Sequence, residues 1–228
     1  MTRLPGTVVF DLDGTLVDSI ADIAAAMNRA FAEEGLDGLP VETYRELVGE
    51  GATVTLTRGL TLLTGVADAD RVEALHERFV HHYEIAPASH SLPYPGVVAL
   101  LDALGAAGTR LAVCTNKDHG ATLAILDALD LARHFQAIVG VTPELPRKPH
   151  RAMLEAAVAG AGGNLADAVM IGDSKTDVAL ARAGGVPVIA VSFGYSQTPA
   201  RALGADVVID HYDEALGALA TLAARRVG

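Results

Sequence analysis

The sequence predicts an α/β protein: a doubly wound parallel sheet with a small all-helical domain inserted after the first strand. Three observations predict it. Short apolar runs rich in β-branched residues recur at 7–10 (TVVF), 110–115 (RLAVCT), 137–141 (AIVGV), 168–172 (AVMIG), 187–192 (PVIAVS) and 206–209 (DVVI), as in strands buried on both faces. Helical periods lie between most of them, at 96–108, 120–132, 151–162, 177–185 and 213–226. Strand alternating with helix is the pattern of a Rossmann-like core. The alternation breaks once, from about Ser19 to His90, where helical periods run through IADIAAAMNRAFAEEG, TVTLTRGLTLLTG and ADRVEALHERFVHHY without a strand pattern. Residues 1–17 and 92–228 are therefore expected to form the core and 18–91 the helical insert, with SLPYPG (91–96) as the return linker.

In chain order, the first run ends at Asp11, Asp13, Gly14 and Thr15, residues that stop a strand. Residues two apart in an extended chain point the same way, roughly 6.6 Å apart, so the two carboxylates are expected to converge on one small volume. Like charges held that close raise one pKa or need a cation between them, and a hard, oxygen-ligated ion such as Mg²⁺ suits them. In the helical interval, Gly49 and Gly51 let a loop approach a ligand closely before entering a helix. Arg58 offers a fork for a substrate carboxylate, or is simply solvated on its helix. His81, His82 and His90 lack acidic or cysteine partners at ligand spacing and are expected at the surface.

The second run ends in Thr115, Asn116 and Lys117, where hydroxyl and amide donors suit anionic oxygens and a helix beginning near Asp118 offers backbone N–H groups. Lys148, between Pro146 and Pro149, is expected to be held extended ahead of a helix starting near His150. The fourth run ends GDSKTD, in which Gly172 permits a tight turn, Ser174 caps a helix, and a spacing of four brings Asp173 near Asp177. Each of these has a bland reading alone: a strand-end cap, a solvated lysine, helix-start acids favoured by the dipole. Ligands of such sheets bind at the carboxyl ends of the strands, and the four groups fall there in succession.

The composition bounds the partners. Of 228 residues, 50% are hydrophobic and 20% charged, without Trp, which is a core-forming mixture. The net charge of -11 argues against nucleic acid, whose phosphate backbone needs a basic footprint. An anionic substrate must then be met by local cations. The single cysteine, Cys114, sits inside the apolar LAVCT and reads as a buried, inert thiol. No apolar run approaches a membrane span and no basic-then-apolar leader opens the chain, so a cytoplasmic protein without membrane contact is expected. Monomer and homodimer both stay open.

DLDGTLVDS, CTNK, RKPH and GDSKTD resemble, in order and spacing, the four motifs of the haloacid dehalogenase-like (HAD) superfamily of phosphohydrolases. Within it, VGEGATVTLTRGL, PYPGV and LAVCTNK are similar to the phosphoglycolate phosphatase subgroup, whose small helical cap sits where this insert sits. The resemblance implies that Asp11 is the nucleophile that forms an aspartyl-phosphate, and that Asp13 is general acid and then base. It implies that Asp11, Asp13 (through its backbone carbonyl) and Asp173 hold Mg²⁺ with Asp177 in support, and that Thr115, Asn116 and Lys148 bind the phosphoryl oxygens. The implied activity is a Mg²⁺-dependent phosphatase of a small phosphorylated metabolite, with 2-phosphoglycolate the best single candidate. Another sugar phosphate, or pyrophosphate, is the first alternative and a sugar phosphomutase the second. A phosphonate hydrolase would need a cap lysine, and no lysine occurs from Ser19 to His90.

Overall fold

Alternation along the first strand sets the layers of the molecule. In β1 (Thr7–Phe10), Val8 and Phe10 enter one apolar cluster and Val9 the other, because successive strand side chains point to opposite faces. The computed structural model describes residues 3–225. After β1 come β2 (Val17–Asp18), then α1 (Ile20–Ala32), α2 (Val41–Leu47), α3 (Ala52–Thr64) and α4 (Ala69–Ile85). The chain returns through β3 (Leu92–Pro93) to α5 (Val97–Ala106), β4 (Arg110–Asp118), α6 (His119–Ala128), β5 (Ala137–Val141) and α7 (Arg151–Gly160). It ends with β6 (Ala168–Gly172), α8 (Lys175–Gly184), β7 (Val188–Val191), β8 (Val207–Ile209) and α9 (Ala215–Arg225).

Six strands pair in parallel in the order β5-β4-β1-β6-β7-β8. The order reverses around β1, with β4 on one side and β6 on the other, and a crevice opens at such a switch point outside the carboxyl ends of the strands. The face containing Val9 packs on α7 and α8 through Met153, Leu154, Val178 and Leu180. The opposite face carries α5 and α9, and its apolar cluster continues without a break into α1, α3 and α4 through Met27, Phe31, Leu60 and Phe79. Among the described residues no helix is long and apolar enough to cross a membrane.

Three features depart from expectation. The segments β2 and β3 form a two-stranded antiparallel ribbon, Val17 opposite Pro93 and Asp18 opposite Leu92, where the sequence suggests only linker. Two residues per strand are too few to show an alternation. The helix α2 was not expected either; it has seven residues, follows Pro40, and buries only Tyr44, so it presents no apolar stripe. Finally, β4 continues to Asp118, three residues beyond the apolar run, because Thr115, Asn116 and Lys117 are buried and find polar partners at the strand end.

Candidate active site

The carboxyl ends of β1, β4 and β6 open into one cavity of about 250 Å³. Asp11, Asp13, Thr115, Asn116 and Asp173 line it, together with Gly49, Glu50, Gly51 and Arg58 from the helical segment. Lys148 is 5% exposed, and its ammonium lies 2.8 Å from Asp11 Oδ1 and 2.7 Å from Asp177 Oδ1. Burial works against the charge on Lys148, but Asp11 and Asp177 outweigh it and push its pKa upward. The loop is set by Asn116, whose Oδ1 accepts from the Lys148 N–H at 2.9 Å and whose Nδ2 donates to the Lys148 carbonyl at 3.3 Å. That amide, read from sequence as a donor to anionic oxygens, is thus committed to positioning Lys148. The Thr115 hydroxyl accepts from the Lys117 N–H at 3.2 Å.

At the end of β6, Ser174 and Asp177 make a reciprocal capping box on α8, which fixes the Asp177 carboxylate at the first turn. Asp173 accepts from the Tyr195 N–H at 2.6 Å and from the Thr15 hydroxyl at 3.5 Å. Gly14 has φ +81°, and a Cβ there would lie 2.6 Å from Asp173 Oδ2, so only glycine brings the β1 turn this close. Gly51, at φ +96°, faces the Asn116 carbonyl and Arg147 in the same way. Both contacts of Asp11, with the Leu12 N–H at 2.7 Å and with Lys148, fall on Oδ1. Oδ2 is left as the oxygen available to an electrophile.

Asp11, Asp173 and Asp177 each offer a carboxylate oxygen, all within 4.8 Å of one another and all buried. One lysine does not neutralise three carboxylates. Burial, with Asp177 adding to it, raises Asp11 to about 7 and Asp173 to about 8. A set of hard oxygen donors carrying excess negative charge fits a divalent cation such as Mg²⁺.

The sign of the resulting pH dependence follows by linkage. Between the ordinary Asp range near 4 and these raised values the folded state binds protons that the unfolded chain has released, so stability falls as pH rises. Asp118 and Asp206 shift down, and their contribution is lost only in acid. Metal-free protein is therefore expected to melt at its highest temperature near pH 5 and at a progressively lower one toward pH 8, and Mg²⁺ is expected to remove that fall. Differential scanning calorimetry in chelator and in Mg²⁺ checks it; a melting temperature that rises from pH 5 to 8 in chelator contradicts the placement of these charges.

Asp11 and Asp13 do line one cavity, but their carboxylates take different partners. Asp13 accepts from the Ser19 hydroxyl and pairs with Lys117 at 3.2 Å. Its side chain lies outside the three-carboxylate cluster. Arg58 lines the cavity, but its fork is filled by Glu50 and, at 3.1 Å, by the Leu47 carbonyl. In this structure it ties the start of α3 to the loop ahead of it.

Sequence reasoning missed two residues. Lys117 was read as a strand-end residue without a role. Tyr195, 7% exposed, was not singled out, although it follows the strand run PVIAVS and the same strand-end rule would have found it. Besides holding Asp173, its hydroxyl accepts from the Ser19 and Ile20 N–H groups at 2.7 and 3.1 Å and donates to Asp18 at 2.7 Å. It thus caps the N-terminus of α1, which Ser19 leaves without a side-chain cap.

The haloacid dehalogenase-like hydrolase family model matches residues 8–191. The phosphoglycolate phosphatase of Caulobacter vibrioides is 44% identical over 216 residues, which are 95% of this chain and 91% of that protein. The crystal structure of a predicted phosphoglycolate phosphatase from Haemophilus somnus superposes with a TM-score of 0.88 at 27% identity, covering 96% of this chain and 99% of that one. The structure of CbbY from Rhodobacter sphaeroides in complex with phosphate gives 0.76 at 26% identity, over 92% and 96%. With its motifs, its strand order and this match, the chain belongs to the haloacid dehalogenase-like hydrolases.

Proposed function

We propose that the protein is a Mg²⁺-dependent phosphatase of a small phosphorylated metabolite, 2-phosphoglycolate first among candidates, working through an aspartyl-phosphate. The observation that carries this reading is the Asp11 carboxylate at the cavity floor, held through one oxygen by Leu12 N–H and Lys148 while the other has no polar partner among the described contacts. Asp11 attacks phosphorus; the new carboxylate–phosphorus bond forms as the ester oxygen leaves and takes a proton from Asp13. Asp13, now a carboxylate, accepts a proton from the water that breaks the aspartyl-phosphate, which releases phosphate and restores Asp11. Lys148 and the Thr115 hydroxyl meet the charge on the transferring oxygens. Bound at Asp11, Asp173 and the Asp13 carbonyl with Asp177 in support, Mg²⁺ would supply further charge neutralisation for a dianion approaching a carboxylate.

In this reading α1–α4 act as the cap, residues 18–91, and the β2–β3 ribbon is the double crossing that joins it to the core. A cavity near 250 Å³ suits a substrate of a few heavy atoms beyond the phosphate. The names of relatives such as the Caulobacter phosphoglycolate phosphatase support 2-phosphoglycolate. A screen of phosphomonoesters with and without Mg²⁺ tests the proposal: the expected profile is metal-dependent and led by 2-phosphoglycolate. Phosphate release independent of divalent metal would overturn the metal assignment, and transfer of phosphate within a sugar phosphate, seen by phosphorus NMR, would favour the mutase.

A further inference from the structure

Lys117 has no task in the scheme above, yet the fold holds it closely. Its side chain is 6% exposed, and Nζ lies 3.3 and 3.2 Å from Asp13 Oδ1 and Oδ2 in the cavity wall. On its other side the Tyr83 ring of α4 stands 4.1 Å away. Tyr83 is fully buried. An ammonium taken this far out of water is costly unless its charge is used. Asp13 is not an exclusive partner, since it already accepts from the Ser19 hydroxyl, and Lys117 stands in the wall of the cavity that receives the substrate. An anion arriving with the substrate can share the ammonium there.

Covalent geometry says where that anion lies. An ester oxygen protonated by Asp13 sits about 2.8 Å from an Asp13 oxygen. A carboxylate on the adjacent carbon then has its own oxygens within roughly 3.5 Å of the ester oxygen. An ammonium astride Asp13 is within reach of that position. The other cavity cations are otherwise engaged or further out: Lys148 on Asp11 and Asp177, Arg58 on Glu50 and Leu47, Lys175 exposed on the first turn of α8.

We propose that Lys117 determines specificity by binding the carboxylate that a small 2-phosphooxy acid carries on the carbon beside its ester oxygen, with the Tyr83 ring of α4 holding the ammonium in place. Lys117 transfers no proton; the proton for the leaving oxygen still comes from Asp13. The inference rests on the phosphatase reading, in which that oxygen meets Asp13.

The test compares kcat/KM for 2-phosphoglycolate with that for ethyl phosphate, a neutral ester of the same length, at saturating Mg²⁺. Wild type is expected to prefer the carboxylated ester. Lys117→Met is expected to lower the ratio of the two values at least tenfold, since a charge-assisted contact is lost from one substrate only, and Lys117→Arg to restore part of it. Should Lys117→Met unfold, Tyr83→Leu carries the same test with a smaller fall expected. An unchanged ratio in these variants overturns the inference, as does an equal loss for both esters with a displaced pH profile, which would mean that Lys117 acts only through Asp13. A wild type that cleaves phosphomonoesters without preferring the carboxylated one overturns the inference and leaves the phosphatase reading standing. A wild type that cleaves none overturns that reading and the inference with it.

Discussion

Asp11→Asn is expected to lower kcat by at least about 10⁴-fold while leaving the fold intact. The size follows from the role: an amide oxygen is a poor nucleophile toward phosphorus, and removal of a covalent catalyst is among the largest single losses in enzymes. The intact fold follows from the electrostatics. Asp11 lies against Asp177 and near Asp173, and burial with Asp177 has already raised its carboxyl to about 7, so a neutral isostere relieves repulsion in metal-free protein at neutral pH. The amide oxygen can still accept from Leu12 N–H. Steady-state rates on the best substrate, beside calorimetric melting in chelator, check both halves. Turnover equal to wild type would remove Asp11 from the reaction.

Lys148→Met is expected to be as damaging to rate and far more damaging to stability. It removes the ammonium that sits 2.8 Å from Asp11 and 2.7 Å from Asp177 and leaves buried carboxylates without their counter-charge. Breaking one side of such a buried pair costs about 3–5 kcal/mol. A similar-sized apolar chain limits the cavity contribution, so most of the loss is electrostatic. Mg²⁺ is expected to restore part of the stability and little of the rate, because the phosphoryl oxygens would still lack their lysine. Denaturant unfolding with and without Mg²⁺ separates the two effects. A variant as stable as wild type in chelator would show that the cluster does not carry the charge assigned to it.

Much of this was legible in the sequence because the relevant signals are local. The run TVVF, the helix period after GDS and the proline after Lys148 each depend on a few neighbouring residues, and the matching elements begin or end within a residue or two of expectation. Long, strongly patterned helices such as α1, α3 and α4 were legible for the same reason. What escaped depends on distant partners. The β2–β3 ribbon exists because Val17 meets Pro93, far along the chain, and no two-residue pattern announces it. That Asp11 pairs with Lys148 and Asp13 with Lys117 depends on residues more than 100 positions away. The helix that carries Arg58 gives no sign that Glu50, on the preceding loop, pairs with it. Tyr195 matters through Asp173, Asp18 and the start of α1 together, a role that only the folded chain assembles.

The central claim is that the free oxygen of Asp11 takes the phosphoryl group. Its most direct test is to acid-quench the enzyme during turnover with Mg²⁺ and its best phosphomonoester, reduce with borohydride, and sequence the peptides by mass spectrometry. Homoserine at position 11, absent from Asp11→Asn and from enzyme without substrate, is the result the account predicts. Reduction at another carboxylate, with Asp11 unmodified at every quench time, would contradict it.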